Sequence, residues 1–110
     1  MTGTFDRALY TPAVAGELTD LNPRTLAAYE SMGLIESARG GSDRQRFSGR
    51  TIRRIKVIRE LTHDLGVNLS AVALTLDLFD RLLEAGATPS GLAQHAFEEY
   101  RHSQEDVRAS

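Results

Sequence analysis

The chain has 110 residues, of which 41% are hydrophobic and 25% are charged, and its formal net charge is −2. This balance predicts one small globular domain and excludes a chain that is disordered throughout, and the lack of cysteine excludes disulfides and thiolate metal sites. No apolar run approaches the ~20 residues of a membrane span, and MTGTFDRALY lacks the features of a secretory signal, so a cytoplasmic protein without a membrane partner is expected.

Two short helices are predicted near the N-terminus. Thr11 and Asn22 each stand directly before a proline, which is typical of an N-cap followed by proline at the first helical position. Gly33 is a natural stop for the second helix. Two such helices joined by two residues have the outline of a helix-turn-helix, although generic helical hairpins share it.

A glycine turn edged with arginines follows, in the run RGGSDRQRF at residues 39–47. Its Gly-Gly-Ser-Asp centre tolerates the positive φ of a tight hairpin tip, and Phe47 is the apolar anchor of the returning strand. Ser48 is predicted to cap a third helix that Gly66 ends. A helix followed by a basic hairpin suits a DNA groove and the phosphates beside it, whereas an ordinary helix and loop is the alternative.

Charge is distributed unevenly along the chain. Residues 39–59 carry eight basic side chains and one acid, Asp43, whereas residues from 67 onward carry three basic side chains and seven acids. Local sign matters more than the total when the partner is a polyanion, so the first segment favours nucleic acid. A solvated basic helix face is the alternative.

A fourth helix is predicted from a cap at Ser70, and it is apolar on two faces. One face carries Val72, Leu76, Phe79 and Leu83, and the other carries Leu74, Leu78 and Leu82. One small domain covers only one face, so a homodimer or a foreign protein is expected on the other, built mainly on residues 71–85. The predicted dimer or partner interface comprises Leu74, Leu78, Phe79 and Leu82.

A last helix offers another way to cover that surface. Thr88 and Pro89 signal its start, and Leu92, Ala96 and Tyr100 lie on one face of it. If this helix folds back, it covers the apolar surface within the same chain.

Catalytic patterns are missing from the sequence. It contains no nucleophile paired with a base, no phosphate-binding glycine loop followed by a helical lysine, and no close pair among His63, His95 and His102. We therefore expect that the protein is not an enzyme and that it uses no cofactor or metal.

With LYTPAVAGELTDLNPRTLAAYESMGLIESARG and RFSGRTIRRIKVIRELTHDLGVNLSAV in place, the chain resembles the MerR family of winged-helix regulators over about residues 9–76. Within that family it looks closest to the HspR-type heat-shock repressors, through TLAAYESMGLI and LGVNLS. The resemblance implies a mainly α winged helix-turn-helix with a small β-hairpin wing and further C-terminal helices. The implied divisions are a flexible N-terminus at 1–8, a DNA-binding domain at 9–76, a helical dimerisation or partner segment at 77–107, and a tail at 108–110.

The resemblance also implies how the domain would meet double-stranded DNA. The second helix would lie in the major groove, with Arg24 and Thr25 near phosphates or base edges, Tyr29 supporting a backbone contact, and the wing on phosphates. The implied DNA-binding residues are Arg24, Thr25, Ala28, Tyr29, Arg39, Arg44, Arg46 and Arg50. The chain departs from the family where Ala27, Ala28 and Gln45 replace an arginine, an aromatic residue and a wing arginine.

Two functions remain open at this point. The HspR-like resemblance implies a transcriptional regulator, and specifically a repressor of stress or chaperone genes. The run DLGVNLSAVALTLDLFDRL, residues 64–82, is also similar to the CbpM-type chaperone modulators, which bind a J-domain co-chaperone rather than DNA. DNA is the favoured partner, since the basic residues around the wing would be surplus in a module that binds only protein.

Overall fold

A computed structural model describes residues 7–39 and 44–109, and it confirms the mainly helical fold with a small antiparallel sheet. Within these residues no helix combines the length and apolar character needed to cross a membrane. In chain order the elements are β1 (Ala8–Tyr10), α1 (Pro12–Thr19), α2 (Pro23–Ser31), β2 (Ala38–Arg39), β3 (Gln45–Ser48), α3 (Gly49–Arg59), a π-helical turn (Glu60–Asp64), α4 (Leu69–Ala85), a 3-10 turn (Gly91–Ala93) and α5 (Gln94–Ala109).

Three helices begin where the sequence predicts. The Thr11 hydroxyl accepts a hydrogen bond from the Val14 amide at 3.2 Å, and the Asn22 side chain accepts one from the Thr25 amide at 2.9 Å. The Ser48 hydroxyl accepts one from the Thr51 amide at 3.0 Å. Each cap accepts a hydrogen bond from an amide that has no partner within its own helix. Because a single residue type supplies this bond, these helix starts can be predicted from the sequence.

One helix end and two helix starts differ from the prediction. The third helix, predicted to run unbroken to Gly66, ends at Arg59 and is followed by the π-helical turn. Asn68, not Ser70, occupies the N-cap of α4, which places Ser70 inside the first turn. Thr88 and Pro89 do not start a helix. Ser90 is extended and Gly91 has a φ of 78°, so the backbone is not α-helical between Pro89 and α5.

The sheet joins the N-terminus to the hairpin. Its strand order is β1-β3-β2, with both pairs antiparallel. The short strand β1 is not predicted from the sequence, and its first residue, Ala8, lies inside the segment expected to be flexible. Residues 1–6 of that segment lie outside the described residues.

The turn between α1 and α2 depends on a close approach at Gly16. Gly16 is buried, and a Cβ atom built on it would lie 2.5 Å from the carbonyl oxygen of Leu21. Asp20 adopts a left-handed conformation with φ of 58°, and the Leu21 amide donates back to the Gly16 carbonyl at 3.0 Å. The glycine therefore lets the chain cross directly over α1 and sets the position of α2.

We expect Gly16→Ala to lower the free energy of unfolding by about 1–3 kcal/mol, because the new methyl group would meet backbone rather than a movable side chain. At an unobstructed position in a helix, replacing glycine with alanine raises the free energy of unfolding by roughly 0.5–1 kcal/mol. A decrease in the free energy of unfolding would therefore indicate the close approach at Gly16. Urea denaturation measures it, with Glu17→Ala at the next, exposed position as the control. Unchanged or increased stability of Gly16→Ala would contradict the close approach.

The C-terminal helix folds back and shares the core of the domain. α5 packs against α3 and α4, and its Phe97 ring lies 5.3 Å from the ring of Phe79 in an edge-on arrangement. The centroid of the Tyr100 ring lies 5.9 Å from that of the Phe79 ring. The Tyr100 hydroxyl donates a hydrogen bond to the Asp80 carboxylate at 2.7 Å. Phe79, predicted at an interface between chains, is 4% exposed, and that placement is wrong because α5 covers it.

An exposed histidine ties the start of α5 to the π turn. The Nδ1 atom of His95 lies 2.8 and 2.9 Å from the two carboxylate oxygens of Glu60. The hydrogen bond to Glu60, followed by the attraction of its charge, raises the pKa of His95 above its usual 6.5. The protonated imidazole is therefore favoured in the folded chain.

Stability should depend on pH through this pair. Because the folded pKa of His95 is raised, its contribution is fully present below the unfolded value of 6.5 and is lost as pH rises through the folded value. We expect the thermal midpoint to fall as the pH rises above 6.5, and to fall less in His95→Gln, which cannot titrate. Equal pH profiles for the two proteins would contradict the assignment.

Candidate nucleic-acid interface

The outward face of α2 is the first part of the candidate interface. Arg24, Ala27 and Ala28 are all exposed and follow one another at helical spacing, so they share one face. Thr25 is half-buried, and both its amide and its hydroxyl donate to the Asn22 side chain, at 2.9 and 3.2 Å. The exposed face therefore presents one positive charge at the N-terminal end of the helix and small side chains beyond it.

Tyr29 lies on the opposite face of α2. It is 2% exposed and belongs to the core, as does Leu26 one turn earlier. The prediction that Tyr29 supports a DNA contact is therefore wrong for this structure, because its ring packs inside the domain and leaves almost no surface for a partner.

The β2–β3 hairpin is the second part, and it forms the predicted wing. Arg39 and Arg44 are exposed, while Arg46 is half-buried and donates a hydrogen bond to the Gln45 carbonyl at 3.0 Å. Phe47 is fully buried and anchors the hairpin on the domain. The predicted tip, residues 40–43, lies outside the described residues.

Gln45 shows how the wing is oriented. Side chains alternate along a strand, so Gln45 lies on the same face of β3 as the buried Phe47, and Arg46 lies on the other. The Gln45 amide nitrogen donates a hydrogen bond to the carboxylate of Glu30 in the last turn of α2. The helix face and the wing are thereby joined side by side, a contact for which sequence periodicity carries no signal.

Two arginines of the basic segment are engaged by partners within the domain. The Arg54 Nε atom donates to the Leu34 carbonyl at 2.5 Å, which ties α3 to the loop that leaves α2. Arg59 pairs with Asp20 at 3.2 Å and braces the turn before α2. Arg54 also lies close to the Tyr100 hydroxyl, whose pKa is raised by burial and by its hydrogen bond to Asp80. The eight basic side chains are therefore not all available to a polyanion.

Arg50, also predicted to contact DNA, is exposed in the first turn of α3. It lines a polar cavity of about 270 Å³ between the loop leaving α2 and the C-terminal part of α5. Glu36 and Gln104 face the same cavity. Arg50 thus lies where the first turn of α3 and the loop leaving α2 meet α5, directly after the wing's last strand.

The predicted dimer surface is only partly available. Leu74 is 62% exposed and Leu78 is 51% exposed, and they lie one helical turn apart on α4. Leu82, one turn further, is half-buried against the core. The exposed charges of Asp77 and Arg81 stand beside these leucines. The two-faced pattern of α4 is therefore real, with one face in the core and Leu74 and Leu78 left outside.

No metal site is evident among the side chains that the structure describes, since no three histidine or carboxylate side chains come together there. The arrangement consists of an exposed helix end, a basic hairpin beside it and an apolar patch on a later helix.

Comparison with known proteins agrees with this arrangement. The family model of MerR HTH regulatory proteins matches residues 10–78, close to the limits of 9–76 expected from the sequence. Over 90 residues the chain is 31% identical to a Streptomyces coelicolor protein that carries the name heat shock protein HspR. This match covers 82% of the chain and 60% of the relative, so the chain accounts for somewhat over half of that protein's length. The chain belongs to the MerR family of helix-turn-helix regulatory proteins.

Proposed function

We propose that this chain is a transcriptional regulator that binds a specific double-stranded DNA site as a homodimer and represses stress or chaperone genes. The observation that carries the proposal is the direct hydrogen bond between Glu30 of α2 and Gln45 of the wing. It joins the two elements that a winged helix uses, one for the major groove and one for the adjoining phosphates.

The proposed contacts follow from exposure and charge. Arg24 and Thr25 stand at the N-terminal end of α2, where the positive end of the helix dipole also favours a phosphate. Ala27 and Ala28 are exposed and leave space for the helix to approach base edges. Arg39, Arg44 and Arg46 on the wing would neutralise phosphates and release counterions.

A second copy of the chain is the proposed occupant of the α4 patch. A two-fold axis through an antiparallel pair of α4 helices would bury Leu74 and Leu78 of both copies. Asp77 and Arg81, which have opposite charges, would then face one another across the axis. Pairing also doubles the DNA contacts, because each copy reads one half-site.

The choice of target genes has a different support. The Streptomyces coelicolor relative is named as a heat shock protein, and the chain matches it over most of its own length. The repressor role rests on the resemblance of TLAAYESMGLI and LGVNLS to HspR-type repressors. The stress-gene targets and the repressor role are therefore part of the proposal and not of the family assignment.

The test is an anisotropy titration of the protein with DNA from upstream of its own gene, and with a scrambled duplex of equal length and composition. We expect the upstream DNA to bind on the order of a thousandfold more tightly, with log affinity falling linearly with log salt. A J-domain co-chaperone is titrated in parallel. Binding to the co-chaperone without any binding to DNA would contradict the proposal and favour a chaperone modulator, a role that the bare Ala27 and Ala28 surface also permits.

A further inference from the structure

Three polar side chains close a hydrogen-bonded triangle between α2 and the wing. Glu30 lies in the last turn of α2, Ser37 directly precedes β2, and Gln45 opens β3. The Ser37 hydroxyl and the Gln45 amide nitrogen each donate to a different oxygen of the Glu30 carboxylate. The same Gln45 nitrogen donates to the Ser37 hydroxyl at 3.1 Å. We refer to Glu30, Ser37 and Gln45 as the wing clasp.

Within the wing clasp, Gln45 lies at the end of the hairpin that is nearer the predicted tip, and Ser37 lies at its base. Gln45 pairs with Arg39, which is the pair next to the predicted tip, and the adjoining pair is Arg46 with Ala38. Phe47, one residue pair further back, is buried in the core. The strand β3 is thus held at two points, by Phe47 at the base of the hairpin and by Gln45 next to the predicted tip.

The clasp has the chemistry of a rigid joint. All three side chains are half-buried, which limits competition from water. Hydrogen bonds to an ionised carboxylate are about twice as strong as those between neutral groups. β1 pairs with β3 only at Phe47 and Ser48, so the outer part of the wing consists of two strands joined by two residue pairs. Such a short two-stranded pairing is only marginally stable alone, so attachment to α2 should increase its order.

We propose that the wing clasp sets the angle and spacing between α2 and the wing, so that both reach DNA together, and that Gln45 is a positioning residue. This inference rests on the proposed DNA-binding function. It also explains the departure at position 45, because a side chain there faces Glu30 and not the outer surface that carries Arg46. Glutamine satisfies the carboxylate without adding charge, and the phosphate contacts fall to its neighbours.

The experiment compares Gln45→Ala, Glu30→Ala, their double variant and Glu30→Gln. Trypsin cleavage after Arg39, Arg44 and Arg46 in the free protein reports wing order without DNA, and anisotropy reports affinity for the upstream duplex. We expect each alanine variant to be cleaved faster and to bind roughly tenfold more weakly, with the double variant no worse than either single one. Glu30→Gln removes the same charge as Glu30→Ala but keeps one acceptor oxygen, and it should lose less affinity than Glu30→Ala.

The outcomes separate the clasp from the function. Faster wing cleavage in Gln45→Ala supports the clasp, and it does so even if the unaltered protein binds no DNA, a result that contradicts only the proposed function. Unchanged cleavage and unchanged affinity in Gln45→Ala would overturn the clasp. A loss in Glu30→Gln equal to that in Glu30→Ala would overturn it as well. Thermal midpoints exclude global unfolding as the cause, and Gln45 contributes no side chain to the hydrophobic core.

Discussion

Replacing Arg44 and Arg46 together with alanine should weaken binding to all DNA sequences about equally and make binding less sensitive to salt. Each phosphate that an arginine neutralises contributes about 0.9 to the slope of log affinity against log salt, and the proposed dimer presents four of these arginines, so the slope should fall by about 3.6. The affinity at low salt should drop roughly ten- to a hundredfold. Anisotropy titrations at several salt concentrations, with upstream and scrambled duplexes, measure both quantities.

Lys56→Ala is the matched control for the wing variant. It removes an exposed positive charge from α3, outside the wing and outside the proposed dimer surface, and it should leave the slope unchanged. The assignment of the wing to phosphates would be wrong if the double variant kept both its slope and its affinity. A loss confined to the upstream duplex would also contradict it, because phosphate contacts carry no sequence information.

Leu78→Asp should convert the dimer into monomers and reduce affinity for the upstream duplex by a hundredfold or more. The new carboxylate would be buried without a partner at the two-fold axis, which costs several kcal/mol. Leu78 is 51% exposed in the single chain, so the fold itself should tolerate the change. Sedimentation at tens of micromolar protein measures the mass, and circular dichroism checks that the helices remain.

Leu18→Asp is the control for the dimer variant, because Leu18 is a leucine of similar exposure on α1, outside the proposed interface. Its sedimentation should match that of the unaltered protein. A monomeric unaltered protein that still binds the upstream duplex at full affinity would refute the α4 dimer. In that case, the expected partner of Leu74 and Leu78 would be a different protein and not a second copy of this chain.

The fold was predictable where the responsible chemistry is local. Thr11, Asn22 and Ser48 each use a side chain to satisfy an amide three residues later, so a few letters of sequence suffice. The start of α5 was missed because Gly91 has a positive φ, which overrides the Thr-Pro signal before it. The strand β1 was missed because its existence depends on pairing with β3, far along the chain.

The site was predictable only as a set of candidates. Helical spacing identified two apolar faces on α4 but could not say which face its own chain covers, and Phe79 was therefore misplaced. Tyr29 was misplaced for the same reason, since an aromatic residue on α2 serves a core as readily as a surface. Charge counting likewise did not distinguish Arg54 and Arg59, whose partners come from distant segments, from the exposed arginines of the wing.

The return of α5 onto α3 has a consequence for how the protein is made. α3 packs against α1 and β3 as well as against α5, and its Ile55, Val57 and Ile58 are completely buried. A ribosome that has released the chain only through α4 would leave part of α3 uncovered, since Phe97 and Tyr100 have yet to emerge. α2 and the wing would therefore reach their final arrangement late in translation, and a prematurely ended chain would expose apolar surface to proteases.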